Sequence, residues 1–81
     1  MSNVRKHGVG FREATTAFDD SLSVTIPDPD HSMDEDRFLL LGVSNRRRLL
    51  VIAHTDRGEA IRIISARRAS RRERAAYAAQ D

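Results

Sequence analysis

Cysteine is absent from this chain, so disulfide staples, thiolate zinc sites and cysteine nucleophiles are all excluded. Tryptophan is absent too, and three phenylalanines and one tyrosine are the whole aromatic complement. That is a poor supply for the stacking platforms of a plain single-strand binder. Long apolar runs are also missing: residues 38–41 and 49–53 fall far below the roughly 20 residues of a membrane helix. Arg5 and Lys6 near the start are followed by no apolar stretch, so no secretory signal is expected, and the cytoplasm is the expected compartment. What is present suffices for one small domain over residues 1–81, with 40% hydrophobic residues and a mean hydropathy of −0.52. A chain of this size buries about two-thirds of its unfolded surface. A multi-step enzyme with its own cofactor domain is excluded by size.

Charge carries more information than its sum of +2. Thirteen of the fourteen basic residues are arginines, and the sequence pI is about 9.9. The signs are segregated. From Asp19 to Asp36 there are seven acidic residues and no Lys or Arg; from Arg62 to Arg74 there are six arginines against Glu73. A guanidinium binds two phosphate oxygens at once, so arginine-rich surfaces suit nucleic acid, and counterion release drives the association. The plainer alternative is a solvated helix face.

Periodicity organises the chain. Ser2 is a candidate N-cap and Gly8 a candidate stop for one short helical turn. Phe11, Ala14, Thr15 and Phe18 form one helical stripe, with Arg12, Glu13 and Thr16 on the polar side. Leu22, Val24 and Ile26 alternate with polar residues as a half-buried strand. Pro27 and Pro29 then open an acidic loop over residues 27–36. Three strands are expected at residues 37–43, 49–55 and 60–66, joined by turns around 44–47 and at Asp56-Arg57-Gly58. In the last strand, strict alternation puts Ile61, Ile63 and Ser65 on one face and Arg62, Ile64 and Ala66 on the other. Ser70-Arg71-Arg72-Glu73 is a capping box that starts a C-terminal helix anchored by Tyr77. The expected class is α+β: a small antiparallel sheet of about four strands, with helix at the N-terminus and one helix at the C-terminus.

Several blocks then stand out together. They are residues 6–14 (Lys6-His7-Gly8-Val9-Gly10-Phe11-Arg12-Glu13-Ala14), Phe18-Asp19-Asp20, His54-Thr55-Asp56-Arg57-Gly58, and residues 62–69, with Glu73 and Tyr77 behind. In this order they resemble the BrnT toxins, the ribonuclease half of type II toxin–antitoxin systems, along nearly the whole chain. The resemblance implies a RelE-like fold and metal-independent endoribonuclease activity that inhibits translation. It also implies a ribbon-helix-helix antitoxin (BrnA-like) as partner, and contact with operator DNA through that antitoxin. Members of the family usually begin with a strand carrying a Trp-Asp or similar pair, which this chain lacks. Either the start is misassigned or the chain is truncated, and truncation would leave a ladder of unpaired backbone groups and favour instability or self-association, including a homodimer.

Metal-free RNA cleavage uses the substrate 2′-hydroxyl as nucleophile and needs a base, an acid and phosphate neutralisation. With the resemblance in hand, the candidates for catalysis are Lys6, His7, His54 and Arg67, with Arg62, Arg67 and Arg68 as phosphate clamps. Glu13, Glu73 and Tyr77 are further groups able to move a proton. Each has a structural alternative. Lys6 and His7 suit a helix C-terminus, His54 suits a core, Tyr77 suits a packing anchor, and one of the adjacent Arg67 and Arg68 can pair with Glu73. Arg46-Arg47-Arg48 is a solvated turn or an extension of the RNA groove. No cofactor and no metal are expected, since the acidic loop lacks the glycine of a calcium loop and contains Pro29. A different class of function is a catalytically degenerate toxin-like protein that acts as an antitoxin-binding co-repressor or nucleic-acid-binding module.

Overall fold

The computed structural model describes residues 7–29 and 36–80, with the backbone alone at position 57. Ser2, Lys6 and most of the acidic loop therefore lie outside the described residues. The order is α1 (Phe11–Ala17), β1 (Val24–Pro27), β2 (Arg37–Val43), β3 (Leu49–Arg57), β4 (Ala60–Arg68) and α2 (Arg71–Ala79). The strands form one antiparallel sheet in the order β1-β2-β3-β4, a meander joined by short turns after β2 and β3. The expected α+β class is the one found.

One helix covers each face of the sheet. Strand side chains alternate between faces, and the register puts Leu40, Gly42, Leu50, Ile52, His54 and Ala66 on a common side. There Val9, Ala14 and Ala17 close the core on Leu40, Leu50, Ile52 and Ala66, with Phe18 and Ile63 packed against it. Gly42 is small for a reason: a Cβ on it would lie 2.8 Å from the Ala17 carbonyl oxygen. On the opposite side, α2 lies over Val51, Leu39 and Leu41 and encloses an apolar pocket with Val24 and Ile26. β3 is buried on both faces from Leu49 to His54, which is why its sequence is continuously apolar rather than alternating.

Three local expectations need correction. The buried residues of α1 are Glu13, Ala14 and Ala17, with Val9 buried just ahead of the helix, whereas Phe11 is 43% exposed. The inward face thus carries Glu13, whose carboxylate is fully satisfied there: it accepts from Ser44 Oγ at 2.7 Å and from Arg48 Nε at 2.9 Å, and it is ion-paired to the Arg48 Nη2 group. β1 is shorter than expected, leaving Leu22 outside it, and β3 and β4 extend through Arg57 and Arg68. In β4, Ser65 pairs with Ala53 but Ile63 pairs with His54, so Ile64 is an extra residue in a bulge. The bulge reverses the facing of everything before it. Ile61 and Ile63 share the α1 side with Ala66, and Arg62 shares the α2 side with Ser65 and Arg67.

Candidate nucleic-acid interface

Antiparallel alternation brings distant arginines together. In a meander, the β2–β3 turn, the end of β4 and the start of α2 all fall at one end of the sheet. That end carries Arg46, Arg47, Arg48, Arg67, Arg68, Arg71, Arg72 and Arg74. The other end is mixed, carrying Asp28, Asp36, Asp56 and Glu59 beside Arg37 and Arg62, with Asp28 bound to Arg37 Nε at 3.2 Å. The molecule is charge-polarised along its strands.

The turn at the basic end is built around Ser44. Its backbone N–H donates to Arg48 O at 2.8 Å, and its carbonyl accepts from Arg47 N–H at 2.9 Å. Its hydroxyl accepts from Arg46 N–H at 3.2 Å while donating to Glu13. Asn45 N–H donates to Thr16 Oγ1 at 2.8 Å, tying the turn to α1. Arg48 holds the Glu13 carboxyl at about 2 against the cost of burial, with Ser44 assisting. Arg48 Nη2 also donates to Gly8 O at 3.1 Å. Gly8 has φ +72, the left-handed conformation expected of a helix stop. The half-buried His7, one residue back, is therefore carried to the α1 side of the basic end.

Two carboxylates within this arginine cluster are consumed by ion pairs. Glu13 takes Arg48, with Arg46 more distant at 3.8 Å. Glu73 takes both Nη groups of Arg67 at 2.8 Å, and that guanidinium, with Ser70, holds its carboxyl at about 2. Glu73 Oε1 also accepts from Ser70 N–H at 2.7 Å while Ser70 Oγ accepts from Glu73 N–H at 3.2 Å, so the capping box forms as expected. Arg47, Arg68, Arg71, Arg72 and Arg74 are exposed and have no carboxylate partner among the described residues. Asp20, at the edge of this end, lies under Tyr77. Burial raises its pKa, but bonds from Tyr77 Oη, Val43 N–H and Leu22 N–H outweigh that and lower it. The same bond pushes Tyr77 up to about 12, so its hydroxyl stays a donor.

The candidate site residues thus part company. Lys6 lies outside the described residues. His7, Arg67 and Arg68 are at the basic end, but Arg67 faces α2 and Arg68 faces the α1 side. Arg62 is five residues back along β4, roughly 16 Å away at strand rise. His54 is 3% exposed, between Phe18 at 5.1 Å edge-on and Phe38 at 5.9 Å stacked. Neither of its ring nitrogens has a hydrogen-bond partner among the described residues. Burial pushes its pKa below the usual imidazole value, with Asp56, 3.7 Å from Nδ1, pulling the other way. No group of three metal-ligating side chains occurs among the described residues. The contribution of Arg47, Arg48, Arg71, Arg72 and Arg74 was the part hardest to see in sequence. Its signal was that residues 46–48 and 67–74 flank strand ends on the same side of a meander.

Fold and charge together define a small α+β domain with one arginine-rich end, as a protein that handles phosphate-bearing polymers would have. The family profile of the ribonuclease toxin BrnT, of type II toxin–antitoxin systems, matches residues 1–73, and the chain belongs to that family. A member of such a system has an antitoxin as its partner. No curated protein is a match for the chain. Among the described residues, no helix is long and apolar enough to cross a membrane.

Proposed function

We propose that this protein is an endoribonuclease that cleaves RNA without a metal cofactor, and that the basic end of the sheet holds the strand. The observation that supports this is the gathering of Arg46, Arg47, Arg68, Arg71, Arg72 and Arg74 where Glu13 and Glu73 are already occupied by Arg48 and Arg67. The 2′-oxygen attacks the adjacent phosphorus and the bond to the 5′-oxygen breaks, leaving a 2′,3′-cyclic phosphate and a free 5′-hydroxyl. A base takes the 2′-hydroxyl proton and an acid gives one to the departing oxygen.

His7 is a proton-moving group of this reading, since Gly8 is bound to Arg48 and the adjoining His7 lies at the end where Arg68 projects. Lys6, outside the described residues, joins it through the family resemblance alone. Arg68 and Arg46 neutralise charge building on the phosphate. Arg67, oriented by Glu73 and the Arg68 carbonyl yet 42% exposed, is a positioning residue. His54 is a packing residue: its burial between two phenylalanines keeps substrate from its ring. The antitoxin, of ribbon-helix-helix type in this reading, neutralises the toxin and carries the pair to operator DNA.

The test is incubation of the purified protein with RNA in EDTA, with the product ends analysed. Cleavage leaving 2′,3′-cyclic phosphate is expected, reduced at least tenfold by His7→Ala combined with Arg68→Ala. No cleavage by the folded protein, or full cleavage by the double variant, overturns the proposal. Growth arrest on expression separates it from an inactive antitoxin-binding co-repressor, which would be harmless.

A further inference from the structure

Beside the basic end, on the α2 side of the sheet, lies an open recess of about 320 Å³ lined by Val43, Arg47, Leu49, Arg74, Tyr77 and Ala78. Two of these side chains are guanidinium groups, one is the single tyrosine of the chain, and none is a carboxylate. Arg47 and Arg74 have no carboxylate partner among the described residues. The Tyr77 ring is held in place from behind, because its hydroxyl donates to Asp20, itself fixed by Val43 N–H at 2.9 Å.

Arg47 also sits in an unfavourable backbone conformation. Its φ is +62, in the left-handed region, at the turn position that glycine ordinarily fills after a type I turn. The hydrogen bonds of Ser44 on both sides hold it there. A residue kept in this conformation at a cost to the fold, with its side chain over an uncharged-to-basic recess, points to a use for the side chain.

We infer that this recess is a nucleotide subsite of the RNA-binding surface: Arg47 and Arg74 take a phosphodiester, and the Tyr77 ring, with Val43 and Leu49, takes the face of the adjoining base. The subsite rests on the reading that RNA is the substrate. It is separate from His7 and Arg68, which lie toward the α1 side, and its part is to position the strand and to favour bases that stack well. Tyr77 contributes its ring rather than its hydroxyl, which is committed to Asp20.

The probe is a fluorescent single-stranded oligonucleotide with 2′-O-methyl sugars, which cannot be cleaved, read by anisotropy at low salt. Arg47→Gly and Arg74→Gln are each expected to weaken binding about fivefold to tenfold and to flatten the salt dependence by roughly 0.7 in slope. Tyr77→Leu loses a similar factor through stacking, whereas Tyr77→Phe, which keeps the ring and gives up only its tether to Asp20, loses less. Arg47→Gly should at the same time raise Tm by a few degrees, since glycine relieves the left-handed turn, so its lost binding is not a folding defect. Arg12→Gln, an exposed charge on α1, controls for net charge. Unchanged binding by Arg47→Gly and Arg74→Gln, or an equal loss with Arg12→Gln, overturns the subsite even if the wild-type protein cleaves RNA. Binding that depends on Arg47 and Arg74 in a protein that leaves RNA intact in EDTA upholds the subsite and overturns the cleavage proposal.

Discussion

His54 and Glu13 are both buried titratable groups, but their surroundings treat charge in opposite ways. The imidazole has aromatic neighbours and no hydrogen bond to either nitrogen, so the fold favours its neutral form. The carboxylate has Arg48 and Ser44, so the fold favours its charged form. The consequences for pH follow with definite sign. As pH falls below the ordinary histidine value of 6.5, the unfolded chain binds a proton that the folded chain resists, and stability declines. A second decline begins below 4.5, as Glu13 and Glu73 are protonated more readily in the unfolded chain, and continues down to about 2. Denaturation curves between pH 7.5 and 5 should therefore slope downward for the wild-type protein and be nearly flat for His54→Leu. Equal slopes in the two would contradict the buried-neutral assignment.

At the scale of elements, the contacts that seat each helix are few and specific. α1 approaches β2 closely enough that only a glycine fits at position 42 against the Ala17 carbonyl. Gly42→Ala must displace backbone rather than a flexible side-chain end, a change that costs about 1 to 3 kcal/mol. Thermal melting should show the loss as a drop of several degrees in Tm with the fold retained. α2 has no fully buried residue and is held by its capping box, by Arg67–Glu73 and by Tyr77–Asp20. It is thus fixed by polar contacts at its ends rather than by a deep apolar stripe. The bulge at Ile64 does comparable work in β4, since it turns Arg62 to the α2 side while leaving Ala66 in the core.

Across the whole molecule, the separation of charge gives it an orientation in the field of a polyanion. Arg47, Arg68, Arg71, Arg72 and Arg74 lead, and the end where Asp28, Asp36, Asp56 and Glu59 offset Arg37 and Arg62 trails. Association with single-stranded RNA should weaken steeply with salt. If four of those arginines meet phosphates, the slope of log affinity against log salt is about −3. Arg71→Glu with Arg72→Glu should lower affinity for every sequence alike, because phosphate contacts carry no base information. A slope near zero, measured by anisotropy from low to physiological salt, would count against an electrostatic docking end.

The sequence alone was sufficient for the order of the elements, because period-two and period-3.6 patterns, turn residues and the Ser70 capping box act over a few neighbouring positions. It was also sufficient for family membership and for a pairing of Glu73 with one of the adjacent arginines at the β4–α2 junction, the structure choosing Arg67 over Arg68. What tertiary structure alone decided were the relations between groups far apart in the chain. Glu13 looks like a surface residue until Arg48, 35 positions later, arrives to neutralise it. The burial of His54 between Phe18 and Phe38 is likewise invisible in its own stretch of sequence. The arginines of the β2–β3 turn join those of β4 and α2 through strand pairing, and the bulge that sets their facing leaves no mark in a local pattern. Charge burial and strand register depend on partners distant in sequence, and local periodicity carries no information about those partners.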